Sequence, residues 1–180
     1  MRLYRVFPWV RGARAPNPGH ALHVPVVQGA GRIDNPEHYR VLYLSDAPEG
    51  AIAEAFGNLD AWSDAMFEVP SLPGARRALG TYELPDGRLL DLDDAGVLLD
   101  RELKPSDVVT RDRGATHRWA LRIFGEQMWA GVRWWSYYDP AWGSCGLWDQ
   151  TDLRSIDVTS LHRSTPTVAS AAAVIHRVWR

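Results

Sequence analysis

The sequence predicts an α+β domain with mixed or antiparallel sheets and flanking helices, and three observations carry that reading. Strand-like alternation occurs near both ends and in the middle of the chain, without the regular strand–helix alternation of a doubly wound sheet. Two strand-like runs, 81–84 and 88–92, are joined by Pro85-Asp86-Gly87, a turn sequence suited to a hairpin. Residues 116–130 form the clearest helical pattern, with Trp119, Ile123, Gln127 and Ala130 along one line and Gly131 as a stop. The 180 residues suit one domain spanning positions 1–180.

Leu3-Tyr4-Arg5-Val6-Phe7 alternates as a short strand that places Leu3, Arg5 and Phe7 on one face. An irregular stretch rich in Arg, Pro and Gly follows and continues to Pro36, the kind of long loop that carries a site. Residues 40–45 read as the next strand, with Val41, Tyr43 and Ser45 on one side. Ser45-Asp46-Ala47-Pro48-Glu49 supplies capping side chains, a first-turn proline and an acid for a helix that Gly57 ends. The apolar stripe is Ala51, Ile52, Ala55, Phe56 and Leu59, so Glu54 faces water or a cleft.

Residues 66–70 read as another strand, and Asp91 to Asp94 as a solvated hairpin end rather than a metal loop. Val132 to Tyr138 has strand character, with Val132, Trp134, Ser136 and Tyr138 on one face. A strand around 155–161 and a helix opened by Thr165-Pro166 complete the pattern.

The formal charge is −2, so no global field recruits nucleic acid or anionic lipid. No run approaches the length needed to span a bilayer, and the single Cys145 has no intramolecular disulfide partner, which fits a reducing, cytoplasmic setting. Lys104 is the only lysine beside nineteen arginines, a bias that suits phosphate recognition and equally genome composition. Gly29-Ala30-Gly31 lacks the rest of a dinucleotide or Walker fingerprint. Trp142-Gly143-Ser144-Cys145-Gly146 has the wrong glycine spacing for a nucleophile elbow and reads as a turn. The six histidines show no metal-binding spacing, and no metal is expected.

What remains is a dispersed polar set: Arg5, Arg32, Tyr43, Glu54 and Ser136. Arg32, Tyr43 and Glu54 are eleven residues apart in turn, and Ser136 follows some eighty residues later. The blocks Leu3-Tyr4-Arg5-Val6, Gly31-Arg32-Ile33-Asp34-Asn35, Val41-Leu42-Tyr43-Leu44-Ser45, Ala51-Ile52-Ala53-Glu54 and Gly131-Val132-Arg133-Trp134-Trp135-Ser136 together resemble the RES domain, named for Arg, Glu and Ser. The arginine block differs from many relatives in lacking an aromatic directly after the arginine. Two tryptophans precede the serine where a smaller or prolyl residue is common.

The resemblance implies a fold similar to ADP-ribosyltransferases and a bacterial toxin that degrades NAD⁺ at the nicotinamide–ribose bond. The toxin is paired with an antitoxin carrying an Xre-like helix-turn-helix. It implies Arg32, Tyr43, Glu54 and Ser136 as catalytic residues, with Arg5, Arg32, Tyr43 and Ser136 contacting substrate. NAD⁺ is then a substrate rather than a cofactor, and water or inorganic phosphate accepts the ADP-ribosyl group, giving a glycohydrolase or a phosphorylase. Two other readings stand beside it: an ADP-ribosyltransferase acting on a macromolecule, and a non-catalytic module that binds NAD⁺ or a partner. Expected chemistry has Glu54 stabilising an oxocarbenium-like ribose, Arg32 with Arg5 gripping the pyrophosphate, and Trp134, Trp135 and Tyr138 forming a wall. Neither direct nucleic-acid binding nor membrane association is expected, and the aromatic excess permits a homodimer.

Overall fold

The computed structural model describes residues 1–180 and has one seven-stranded sheet. Its strands are β1 (Arg2–Trp9), β2 (Leu42–Ser45), β3 (Arg76–Glu83), β4 (Leu89–Asp91), β5 (Gly131–Trp135), β6 (Gly143–Leu147) and β7 (Arg154–Ser160). The helices are α1 (Pro48–Phe56), α2 (Ala95–Asp100), α3 (Pro105–Val108), α4 (Arg113–Gly125) and α5 (Pro166–Val174). The sheet runs β4-β5-β6-β2-β1-β3-β7, antiparallel throughout except for the β4–β5 pair. This is the mixed α+β architecture the sequence predicts.

Side-chain alternation sorts the core onto two faces of this sheet. Leu3 and Phe7 of β1, Leu42 and Leu44 of β2, and Cys145 and Leu147 of β6 pack on one face beneath Ala21 of the long N-terminal loop. On the other face, α1 and α5 cover the β1–β3 half through Ile52, Phe56, Leu79, Val168 and Ala171. The β4–β5 half is covered by α4, whose Trp119, Ala120 and Ile123 pack with Val132, Trp134 and Ile33. A floor of β2, β6 and β1 is left between these two helical groups.

Several sequence expectations give way to tertiary structure. The 81–84 and 88–92 runs form no hairpin: β3 pairs with β1 and β7, while β4 crosses to the far side and pairs with β5. Leu84 N instead donates to Met1 O, and the Met1 ammonium pairs with Asp86 at 2.8 Å, so the turn closes on the N-terminus. The 66–70 run is no strand: Met66 and Phe67 end the 3-10 helix Asp64–Phe67, Phe67 is buried beside Phe56, and Glu68 makes a single isolated bridge to Arg76. Helix α4 ends at Gly125 rather than at Gly131, and Gln127 adopts a left-handed φ of 55°.

The segment read as a turn around Ser144 is β6, an inner strand buried along its whole length. Its glycines answer to close packing. A Cβ on Gly146 would strike the Ile33 side chain and Val41, so glycine there lets the arginine-bearing loop lie flat on the sheet. The expected α1 caps are used elsewhere: Ala47 holds the N-cap position, while Asp46 accepts from Gly143 N and Arg133 Nε. Asp91 and Asp93 also pair with Arg133, and Asp94 caps α2 through Val97 N, so the acidic run is no hairpin end.

Candidate active site

A cleft of about 360 Å³ opens on the floor between α1 and the α4 side, within the size range of small-molecule sites. Its lining includes Arg5, Arg32, Tyr43, Glu54, Arg113 and Trp134. Three of the four residues expected to be catalytic therefore line one cavity, although 22 residues separate Arg32 from Glu54.

Glu54 reaches the cleft because it lies off the buried side of α1, which is formed by Ala51, Ile52, Ala53 and Phe56. Ala55, expected on the stripe, is exposed and also lines the cleft. Glu54 Oε1 accepts two hydroxyl hydrogen bonds, from Ser136 Oγ at 2.8 Å and from Ser144 Oγ at 3.2 Å. Its Oε2 accepts none from the protein, so one oxygen is fixed and the other is available.

Ser136 lies one residue beyond β5, is 3% exposed, and does not line the cleft. Its hydroxyl is directed to the carboxylate and also accepts from Tyr138 N at 3.2 Å. Ser144 on β6, which sequence reasoning passed over, shares this task. It projects onto the cleft face because the β6 register sets it opposite Ser45 and Trp134. The aromatic wall differs from expectation as well: Trp134 and Tyr137 line the cleft, while Trp135 and Tyr138 do not.

Tyr43 presents its ring to the cleft and stands edge-on to Trp134, with centroids 6.5 Å apart. Its hydroxyl is committed away from any ligand, donating to Asp34 Oδ1 at 2.6 Å and accepting from Ile33 N at 3.1 Å. Burial raises the Tyr43 pKa well above the ordinary phenol value, and the bond to Asp34 raises it further. The buried Asp34 also accepts from Gly29 N at 2.7 Å and Gly31 N at 2.8 Å, which closes the turn ahead of Arg32. Glycine is needed at 31, where a Cβ would collide with the Tyr43 hydroxyl.

Arg32 Nη1 donates to the carbonyls of Val108 at 2.7 Å and Thr110 at 2.9 Å. Burial lowers its pKa, as does the neighbouring Arg113, while Glu54 and Tyr43 pull the other way. Arg5 borders the cleft where the β1–β2 ladder gives out beyond Tyr4 and Ser45. Its Nη1 donates to His23 O at 2.9 Å beneath the N-terminal loop, and burial lowers its pKa. No carboxylate forms an ion pair with Arg5, Arg32 or Arg113. No cluster of His, Cys, Asp and Glu side chains is arranged to hold a metal, and no helix is long and apolar enough to cross a membrane. The arrangement thus sets a half-tethered carboxylate and edge-on aromatics beside cations that form no ion pair, a combination suited to an anionic ligand with an electron-poor carbon near Glu54.

The RES domain family model matches residues 2–166. A search of curated proteins found no match. Among solved structures, the chain is similar to a chain in the crystal structure of the M. tuberculosis MbcT-MbcA toxin-antitoxin complex. The TM-score is 0.59 at 15% identity, covering 97% of this chain and 88% of that one. The likeness is one of fold. With the match running through every strand of the sheet and through all the cleft-lining residues, the chain belongs to the RES domain family.

Proposed function

We propose that the cleft binds NAD⁺ and cleaves the bond between nicotinamide and ribose. The observation that carries this reading is Glu54, with Oε1 held by Ser136 and Ser144 and Oε2 free of protein hydrogen bonds, in a cleft also lined by Trp134, Arg5, Arg32 and Arg113. When the C1′–N bond breaks, its electron pair goes to the nicotinamide nitrogen, which leaves neutral, and positive charge develops on the ribose. A fixed carboxylate beside that carbon stabilises the charge as it forms. Water then adds at C1′ and loses a proton to give ADP-ribose, or inorganic phosphate adds to give its 1″-phosphate. Tyr43 and Trp134 supply apolar faces for the nicotinamide end. Ser136 acts through Glu54 as a positioning residue in this account.

Membership in the RES family and likeness to a chain from a toxin–antitoxin complex support a role as a bacterial toxin acting on the cytoplasmic NAD pool. Its neutralising partner in this proposal is an antitoxin with an Xre-like helix-turn-helix. The test is incubation of the purified chain with NAD⁺, with and without inorganic phosphate, followed by separation of products. Nicotinamide with ADP-ribose names hydrolysis, and nicotinamide with ADP-ribose 1″-phosphate names phosphorolysis. Binding of NAD⁺ without release of nicotinamide would overturn the proposal in favour of a binding module. An NAD⁺-dependent mass gain on a protein acceptor would redirect it to ADP-ribosyl transfer.

A further inference from the structure

Arg113 is the cleft cation that neither the motif spacing nor the family pattern singles out. It opens α4, and its Nε donates to Ala30 O at 3.1 Å while its Nη1 donates to Thr110 O at 3.0 Å. The same Thr110 carbonyl accepts from Arg32 Nη1 at 2.9 Å. Two guanidinium groups from positions 81 residues apart therefore meet at one oxygen atom. Backbone carbonyls orient both without neutralising either, and no carboxylate lies within ion-pair distance. The Nη2 of each group makes no hydrogen bond to the protein.

Such a like-charge pair is unfavourable on its own, and an anion with oxygens on two linked phosphorus atoms offsets that cost with two forks at once. Arg5 fills this place less well, because its Nη1 is bonded to His23 O beneath the N-terminal loop. The start of α4 is capped by Asp112 through Ala115 N, so Arg113 is not needed as a cap, and its own bonds to Ala30 O and Thr110 O hold the guanidinium at the cleft.

We propose that Arg32 and Arg113 form a two-guanidinium fork for the pyrophosphate of the substrate, making Arg113 a substrate-binding residue that selects ligands with a diphosphate bridge. This rests on the reading of the cleft as an NAD⁺ site. The ligand for the direct test is ADP-ribose, which carries the pyrophosphate and has no nicotinamide bond to break. Calorimetric titration should show Arg113→Ala binding it about tenfold more weakly, on the scale of one charge-assisted interaction. Arg113→Lys, which keeps the charge and loses the fork, should fall between Arg113→Ala and wild type. Arg118→Ala, removing a charge from the exposed side of the same helix, should bind as wild type does. In turnover, Arg113→Ala should raise KM for NAD⁺ about tenfold and leave kcat within about twofold, the signature of lost ground-state binding.

Thermal melting of each variant separates loss of binding from loss of fold, and Arg113→Lys carries the test if Arg113→Ala melts early. ADP-ribose binding unchanged in both Arg113 variants, or undetectable in wild type, would overturn the inference. So would a loss confined to the response to inorganic phosphate, which would assign Arg113 to the acceptor instead. If wild type releases no nicotinamide yet the ADP-ribose series follows the expected order, the fork stands and the cleavage reading falls.

Discussion

Ser136 Oγ lies 2.8 Å from Glu54 Oε1, donating a hydrogen bond across 82 residues of sequence and tying the end of β5 to α1. Ser144 supports the same oxygen from β6 at 3.2 Å. The bridge sets the carboxylate's direction and leaves its second oxygen available, so the serines govern how well Glu54 is aimed.

Removing either hydroxyl should lower turnover more than substrate affinity. Ser136→Ala is expected to reduce kcat about tenfold, and Ser144→Ala, with its longer bond, by about threefold, with KM nearly unchanged in both. The double variant should lose less than the product of the two, because both hydroxyls act on one oxygen. Steady-state nicotinamide release checks this. A rise in KM with kcat intact would show that the serines contact substrate directly.

The Tyr43 hydroxyl holds the arginine-bearing turn through Asp34 and Ile33 N. Tyr43→Phe leaves a buried carboxylate oxygen and a backbone donor without their partner, at an expected cost of about 1–3 kcal/mol in urea denaturation. Asp34→Ala removes three accepted hydrogen bonds, from Tyr43, Gly29 and Gly31, and should cost more than Tyr43→Phe. A neutral Tyr43→Phe would mean that the turn is held by other contacts.

Buried phenols make the fold sensitive to alkali. Burial pushes Tyr39 and Tyr82 up to about 12, and Tyr43 higher still. Because these folded values exceed the unfolded value of about 10, the neutral forms stabilise the fold fully below that pH, and the contribution is lost as pH rises through the folded values. The melting temperature should fall between about pH 10 and about pH 12, and Tyr43→Phe should fall less steeply than wild type. A melting temperature flat across that window would contradict the burial of these hydroxyls.

Local pattern revealed much of the sheet and part of the site, and the rest depends on contacts made at a distance. The alternation of Leu3, Arg5 and Phe7 and the off-stripe position of Glu54 are both realised, because period and side-chain polarity decide them within a few residues. Strand β6 was illegible: Gly143-Ser144-Cys145-Gly146 has turn composition, and its glycines are explained only by Ile33, Val41, Asp46 and Arg133 packing against them. Pro85-Asp86-Gly87 does turn the chain, but the choice of β5 rather than β3 as partner for β4 is tertiary. Arg32, Tyr43 and Glu54 are picked out by the resemblance of their sequence blocks to the RES pattern, and that pattern contains no slot for Ser144 or Arg113. A signal for Arg113 existed only as an arginine directly after the capping Asp112, a position that solvated arginines also occupy.

If the Glu54 carboxylate drives the proposed rupture of the nicotinamide–ribose bond, Glu54→Gln removes that drive while keeping the side chain in place. The amide has nearly the same shape, still accepts from Ser136 through its carbonyl oxygen, and lacks the charge. Nicotinamide release should drop by about a hundredfold or more while ADP-ribose affinity and melting temperature stay close to wild type. Release at the wild-type rate from a folded Glu54→Gln protein would contradict the account.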